Sequence, residues 1–450
     1  MTIIAFLAVI ADGGINRSTQ MHVSRYLRDE PGAVRTTYKQ VLVIKTLVAC
    51  TAFLLAYLAA PWVAQTYNIP SLEPLMKAGA VLLAALIIFE YLIAVIQGYE
   101  SFRLLSAATI LDAGSRLIAT ITIITLGLGA IGVMIGYASA AMVVVVLLTF
   151  LALKMVRSQS AERVATKNHV PNILRYSPPI LLSTLFFIIY TKFDILALGY
   201  LGIASDVGHY TLAVGLIDNL IIPLAAIETA IMPIVASAYG RSSEKKDLSR
   251  IFNQALAMGF LFMMPVIAGV VVVAQAFVTT VYGTAFANTA IILIGLTPYI
   301  LTKTLGVLNG TYLIAAGEAR RFMWYTFGAV LINISLLFIF IPILGTFGAI
   351  LAKIASHTLL TVTMLVYVVR RFSIQVERGT LARTAKTGLC ALLLGLVCSG
   401  ILLISPEGIP SLFLTILSGF LIYATLLHVS GTLSFQEMVE FAGGKSGLEL

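Results

Sequence analysis

Long apolar runs separated by short polar stretches repeat almost from end to end of this chain. They fall at Ile3–Tyr26, Val41–Ala64, Ala78–Gln97, Leu104–Leu126, Ile131–Met155, Ser177–Leu201, Tyr210–Ala238, Phe252–Val281, Asn288–Ala315, Met323–Ile343, Thr346–Val369, Ala385–Ile404 and Leu412–Val429. Most are close to the about 20 mostly apolar residues that a helix needs to cross the hydrocarbon core. An open sheet cannot satisfy its backbone in lipid, so the pattern predicts an all-α fold, a polytopic membrane helix bundle. Two places break the rhythm. The first run is interrupted by Asp12, Gly13, Gly14, Asn16 and Arg17. The stretch 172–250 holds two runs with polar groups inside them, Lys192 and Asp194 in one, and Asp218, Asn219 and Glu228 in the other.

Composition agrees with the pattern. The 450 residues are 59% hydrophobic and 11% charged, with a mean hydropathy of +1.00, which no soluble domain of this size shows. The formal charge of +9 would suggest nucleic acid in a soluble protein. Here the cations fall in alternate loops: Arg25–Lys39, Arg103, Lys154–Arg175, Arg241–Arg250, Arg320–Arg321 and Arg370–Lys386. The intervening loops are almost free of Lys and Arg, Lys77 being the main exception. The excess is therefore read as the positive-inside signal. It predicts a cytoplasmic-membrane protein with its basic loops and C-terminus in the cytoplasm, and no nucleic-acid partner. Cys50, Cys390 and Cys398 lie in apolar runs without metal-ligand or redox spacing. The start, Met1-Thr2-Ile3-Ile4, lacks the basic region of a cleavable signal peptide. The tail Ser430–Leu450 is polar and reads as disordered.

A weak repeat runs through the chain at an offset of roughly 215 residues, a symmetry that transporters often carry. Val23-Ser24-Arg25-Tyr26 and the helix end Val63–Tyr67 resemble Ala236-Ser237-Ala238-Tyr239 and Val278–Tyr282. Gly129-Ala130-Ile131-Gly132 corresponds to Gly345-Thr346-Phe347-Gly348. Six helices per copy make the repeats parallel, so two six-helix lobes are expected, with two C-terminal helices outside the repeat. The predicted divisions are 1–170 for the N-terminal lobe, 171–372 for the C-terminal lobe, and 373–450 for the extra helices and tail. Ser177–Leu201 has no partner in the first copy. The repeat thus leaves a first helix missing and predicts a natural chain extending about 40 residues upstream.

No nucleotide loop, zinc motif or nucleophile triad is visible, and no cofactor or metal is called for. Gly127–Gly132 matches a dinucleotide-binding pattern in letters only, because it follows a membrane helix rather than a strand. The candidate chemistry is the set of ionisable groups inside apolar runs, which usually face water or pair with each other. Lys303, mid-run, is either a cavity-facing cation or the buried partner of Asp218 or Glu228. Asp112 and Arg116, one helical turn apart, either pair internally or bind substrate. Asp12, Asn16 and Gln20 fall at helical spacing, with Arg17 beside them. Lys192 and Asp194 are two apart and do not face each other. Lys45 and Lys353 are near enough to a surface to snorkel. Glu90 has no obvious partner and would be neutral if buried. The cations Arg17, Arg116, Lys192 and Lys303 suit an anionic substrate, phosphate above all. The acids Asp12, Asp112, Asp194, Asp218 and Glu228 are candidates for ion coupling or ion pairing.

Several diffuse patterns occur in order over nearly the whole chain: Asp12-Gly13-Gly14-Ile15 with Ser24-Arg25-Tyr26; Asp194–Gly202; Val207-Gly208-His209-Tyr210; Pro233-Ile234 with its following loop; and Ala315–Arg320. In these the chain resembles the polysaccharide-biosynthesis flippases of the multidrug/oligosaccharidyl-lipid/polysaccharide exporter superfamily. The resemblance implies two six-helix lobes and alternating access. It also implies translocation of a polyprenyl-phosphate- or diphosphate-linked oligosaccharide, with membrane lipids, a coupling Na or H ion and polysaccharide-assembly proteins as partners. A cation-coupled multidrug exporter of the same superfamily is the nearest alternative; it would want acidic residues to dominate the cavity. A membrane-embedded glycosyltransferase or ligase would need larger polar loops than this chain has.

Overall fold

The apolar runs are all helical, but the helices do not end where the runs do. The structure, a computed structural model, describes residues 1–158, 170–202, 204–240, 245–404 and 408–432. The tail beyond Thr432 and the loop cations Arg163, Lys167 and Arg241 lie outside the described residues. Among the described residues every regular element is a helix. Eleven of them are long and apolar enough to cross a membrane, or twelve if one bent pair counts as a single span. By contact, the chain divides into two compact units, Met1–Leu196 and Ala197–Leu450.

The first unit contains α1 (Thr2–Asp12), α2 (Ile15–Asp29), α3 (Pro31–Thr66), α4 (Leu72–Gly98), α5 (Phe102–Thr125), α6 (Gly129–Ser158) and most of α7 (Val170–Leu201). α3 has 36 residues. At 1.5 Å per residue that is roughly 54 Å, well beyond the about 30 Å hydrocarbon core. Its first turns, with Arg35 and Lys39, extend the helix past the apolar run, because backbone hydrogen bonding continues wherever no breaker intervenes. α4 is the core of the unit: Leu82, Leu83, Tyr91, Leu92 and Ile96 are fully buried, and Tyr91 Oη donates to the Tyr38 carbonyl at 2.8 Å.

The run Ile3–Tyr26, expected as one helix, is two. Gly13 and Gly14 both adopt left-handed φ, 62° and 77°, and separate α1 from α2. Asp12 and Asn16 therefore do not share a helical face. At Gly14 the neighbouring helix comes so close that a Cβ would lie 2.3 Å from the Ser177 carbonyl oxygen on α7. Ser18 Oγ, one turn on, donates to the Ile173 carbonyl at 2.8 Å. The N-terminal half of α7 is thus seated on α2.

The second unit contains α8 (Ala204–Leu220), α9 (Ile222–Gly240), α10 (Lys245–Tyr282), a 3-10 turn (Thr284–Phe286), α11 (Ala287–Gly295), α12 (Thr297–Ala315), α13 (Ala319–Leu344), α14 (Thr346–Phe372), α15 (Arg378–Ile404) and α16 (Ile409–Val429). Two more expected runs are broken here. Tyr210–Ala238 divides at Ile221, where Pro223 cannot donate the next helical hydrogen bond. Asn288–Ala315 bends by 44° between α11 and α12. Pro298 removes the N–H that the Ile294 carbonyl would accept, and Thr297 Oγ1 donates to that carbonyl instead at 2.8 Å. α10 is the hub. Tyr312 Oη donates to its Leu248 carbonyl, and Tyr423 Oη on α16 to its Leu261 carbonyl, each at 2.8 Å. Asn253 on α10 donates to the Gln375 carbonyl at 2.8 Å and accepts from Glu377 N at 3.1 Å, fixing the turn between α14 and α15.

Candidate functional site

The ionisable side chains inside the helices collect into one group in each unit. In the first, the break after α1 organises the charges. Asp12 Oδ2 accepts from Gly14 N and Oδ1 from Asn16 N, both at 3.2 Å, so the carboxylate caps the start of α2. The same carboxylate meets Lys45 Nζ of α3 at 2.6 Å, and Lys45 also donates to the Asp12 carbonyl at 3.2 Å. Lys45 is wholly buried and does not snorkel. Its charge is answered by the carboxylate that the helix break places beside it. On α5, Arg116 Nε donates to Asp112 Oδ1 at 2.9 Å, so these two form the internal pair. Glu90 of α4 is exposed rather than buried, and it lies within electrostatic reach of Asp12, Lys45, Asp112 and Arg116. The group thus contains two matched ion pairs and one further carboxylate.

In the second unit the balance is reversed. Lys303, half-buried in α12, has no ion pair among the described residues; Glu228 of α9 and His357 of α14 are within electrostatic reach. His357 is buried edge-on to Tyr299, with ring centroids 4.9 Å apart, and its Nδ1 lies 3.3 Å from Thr361 Oγ1. Lys353, one turn before His357, is buried with its ammonium 5.2 Å from the centre of the Tyr299 ring. It does not reach a surface, because its side chain is directed at α12 rather than along α14. Gly306 permits this close helix approach: a Cβ there would lie 3.0 Å from His357 Cε1. Within this set Glu228 lies within electrostatic reach of Lys303, while Lys353 is stacked on Tyr299; the half-buried Lys303 is the cation suited to an anion.

The remaining candidates scatter. Arg17 is exposed on α2, and Asp218 is exposed near the end of α8. Lys192 is half-buried in α7. Asp194 is buried there, its Oδ1 accepting from Ile195 N at 3.0 Å. Tyr299 and His357 became part of a site only through the α12–α14 contact, and Glu90 and Lys45 only through the packing of α3, α4 and α5 around Asp12. The available signal was depth: each charge in the first group sits a few turns in from the basic end of its span.

The second unit also has an apolar cavity of about 740 Å³. Pro265, Val266 and Gly269 of α10, Leu394 of α15, and Phe420 and Tyr423 of α16 are among its walls. The two helices outside the repeat therefore close a lipid-like groove against α10.

Residues 1–291 match the family described as polysaccharide biosynthesis protein. The chain belongs to that family. A curated relative, the probable low-salt glycan biosynthesis flippase Agl15 of Haloferax volcanii, is 24% identical over 290 residues, 63% of this chain. The match spans 58% of that relative's length. Among solved structures, the inward-closed lipid II flippase MurJ superposes with a TM-score of 0.72 at 14% identity, covering 97% of this chain and 93% of that one. An inward-facing multidrug resistance MATE family transporter gives a TM-score of 0.72 at 17% identity, covering 82% and 88%. A superfamily transporter from Pyrococcus furiosus gives 0.57 at 19% identity, covering 82% and 86%. This member of the polysaccharide biosynthesis family is a multi-pass membrane protein with the helical fold of that exporter superfamily.

Proposed function

We propose that this protein flips a polyprenyl-phosphate- or diphosphate-linked oligosaccharide across the cytoplasmic membrane by alternating access, for assembly of a cell-surface glycan. The observation that carries the reading is the apolar cavity closed by α10, α15 and α16. A water-soluble drug needs no such groove, whereas a polyprenyl chain must keep its tail out of water while its head crosses. Lys303 would receive the phosphate, since among the described residues no ion pair neutralises it and it is half-buried in α12, with a second cation, Lys353, on the neighbouring α14. Arg116, paired with Asp112, is better suited to structure or to coupling than to the phosphate. Arg17 and Lys192 are secondary contacts in this reading. The acids Asp12, Asp112 and Glu90 of the first group, and Glu228 of the second, are where a coupling Na or H ion would act. The head group moves without bond chemistry, so the function is transport rather than catalysis. The relative's name, a glycan biosynthesis flippase, supports the substrate class.

The deciding experiment measures lipid-linked sugars in a strain lacking the gene. Accumulation of the undecorated intermediate on the inner leaflet, relieved by the wild-type chain and not by Lys303→Ala, is the expected result. Unchanged lipid-linked sugars together with raised drug sensitivity would instead establish the multidrug exporter.

A further inference from the structure

A second pocket, this one polar and of about 570 Å³, lies at the basic end of α13 and α14, lined by Arg321, Tyr325, Thr363, Val366, Tyr367, Arg370 and Arg371. Arg321, Arg370 and Arg371 are exposed there, and Arg320, outside the lining, is exposed next to Arg321. One carboxylate answers them. Glu318 Oε1 accepts from Arg371 Nε at 2.9 Å, and its Oε2 accepts from Arg321 Nη1 at 3.2 Å and from Tyr367 Oη at 2.7 Å. Three lining guanidinium groups against one carboxylate leave a strong local positive excess. Arg370 has no ion pair among the described residues.

The geometry is built rather than incidental. The Arg321 guanidinium lies over the Tyr367 ring, 4.9 Å from its centre, and Tyr367 packs against Tyr325 with centroids 5.9 Å apart. Glu318 and Tyr367 thus hold Arg321 and Arg371 in place, and the guanidinium edges left over remain available. Capping of helix ends accounts for only half of this set. Arg370 and Arg371 suit the C-terminus of α14, but Arg320 and Arg321 sit in the first turn of α13, where the helix dipole opposes a cation. Trp324, exposed one turn further along α13, places the pocket at the depth where aromatic side chains meet the head-group layer.

We propose that this pocket binds the phosphate-bearing head group of an anionic membrane lipid. Arginine forks match phosphate oxygens two at a time, and basic pockets between membrane helices collect such head groups from the adjacent leaflet. The site is separate from the transport chemistry, so it stands or falls independently of the proposed substrate.

The test uses the full chain in nanodiscs of phosphatidylcholine, with and without phosphatidylglycerol. Retained lipid is counted by native mass spectrometry and the thermal midpoint is read in parallel. The wild type is expected to retain phosphatidylglycerol selectively and to gain thermal stability from it. Arg370→Gln, which breaks no ion pair, should weaken that retention about fivefold, the effect of one arginine at a charged membrane surface. Arg321→Gln should do at least as much. Arg320→Gln, outside the pocket lining, is the control and should change little. Equal retention of both lipids by the wild type, or equal loss in Arg320→Gln and Arg370→Gln, overturns the pocket. Protection by inorganic phosphate with no advantage from phosphatidylglycerol overturns the lipid assignment.

Discussion

Lys45 reaches across from α3 to Asp12 at the break between α1 and α2 and closes an ion pair of 2.6 Å, with the lysine side chain fully buried and the carboxylate 24% exposed. The asymmetry predicts unequal mutants. Asp12→Ala strands a buried ammonium and removes the cap on Gly14 and Asn16, at a cost of about 3–5 kcal/mol. Lys45→Met leaves a carboxylate that still accepts two backbone N–H groups and reaches solvent, so it costs less. Thermal midpoints of the two variants and of the double variant measure this. The order Asp12→Ala below Lys45→Met, with the double above the sum of the singles, is the expected outcome.

Adjacent glycines at the same break should behave differently. Gly13 and Gly14 are both left-handed, but only Gly14 faces the Ser177 carbonyl. Gly13→Asn should be tolerated, because asparagine enters the left-handed region readily. Gly14→Ala adds to about 1–2 kcal/mol of backbone strain a contact that α7 cannot relieve without moving. Expression and midpoint near wild type for Gly13→Asn, and a clear fall for Gly14→Ala, would establish that α7 is held against α2 at this point.

Lys303 and Arg116 separate transport from stability. Lys303→Ala removes a cation with no ion pair among the described residues, so the midpoint should hold while flipping falls at least tenfold, the scale of one charge-assisted contact to phosphate, about 1.5–3 kcal/mol. Arg116→Ala leaves Asp112 without its partner, and its midpoint should fall together with activity. Complementation and midpoint are measured side by side. A large midpoint loss in Lys303→Ala would make that lysine structural.

The apolar cavity offers a substitution that should block function without harming the fold. Gly269 lines it, and a Cβ there meets nothing within 4 Å. Gly269→Phe fills the groove and replaces a helix-interior glycine, which by itself favours the helix by a few tenths of a kcal/mol. The midpoint should be maintained or raised while lipid-linked substrate transport is lost. Full transport by this variant would remove the groove from the mechanism.

The helix approach at Gly306 is a stability prediction alone. A Cβ would lie 3.0 Å from His357 Cε1 and 3.1 Å from Thr361 Oγ1, both on buried side chains of α14. Gly306→Leu should cost about 1–3 kcal/mol by overpacking, read as a lower midpoint. A leucine accepted without loss would mean that α12 and α14 can part there.

What the sequence by itself determined was whatever depends on transfer between water and lipid: membrane class, all-helical architecture and the placing of most spans. Those follow from runs of apolar residues, because each residue's transfer cost is nearly independent of its distant neighbours. The Asp112–Arg116 alternatives were also legible, since one helical turn separates the two. Only the tertiary structure decided where charges went. Lys45 and Lys353 had surface routes by length alone, yet the packing of α3 around α1, and of α14 on α12, buried them against Asp12 and Tyr299. Glu90, with no local partner, joined a group assembled from α1, α3, α4 and α5. The interruption at Gly13-Gly14 was visible as a polar break in its run, but the helix breaks at Ile221 and Leu296 lay inside apolar runs, where hydropathy carries no signal of backbone direction. A buried charge is placed by whichever distant element brings the opposite charge or ring within a few ångströms, and that is a property of packing.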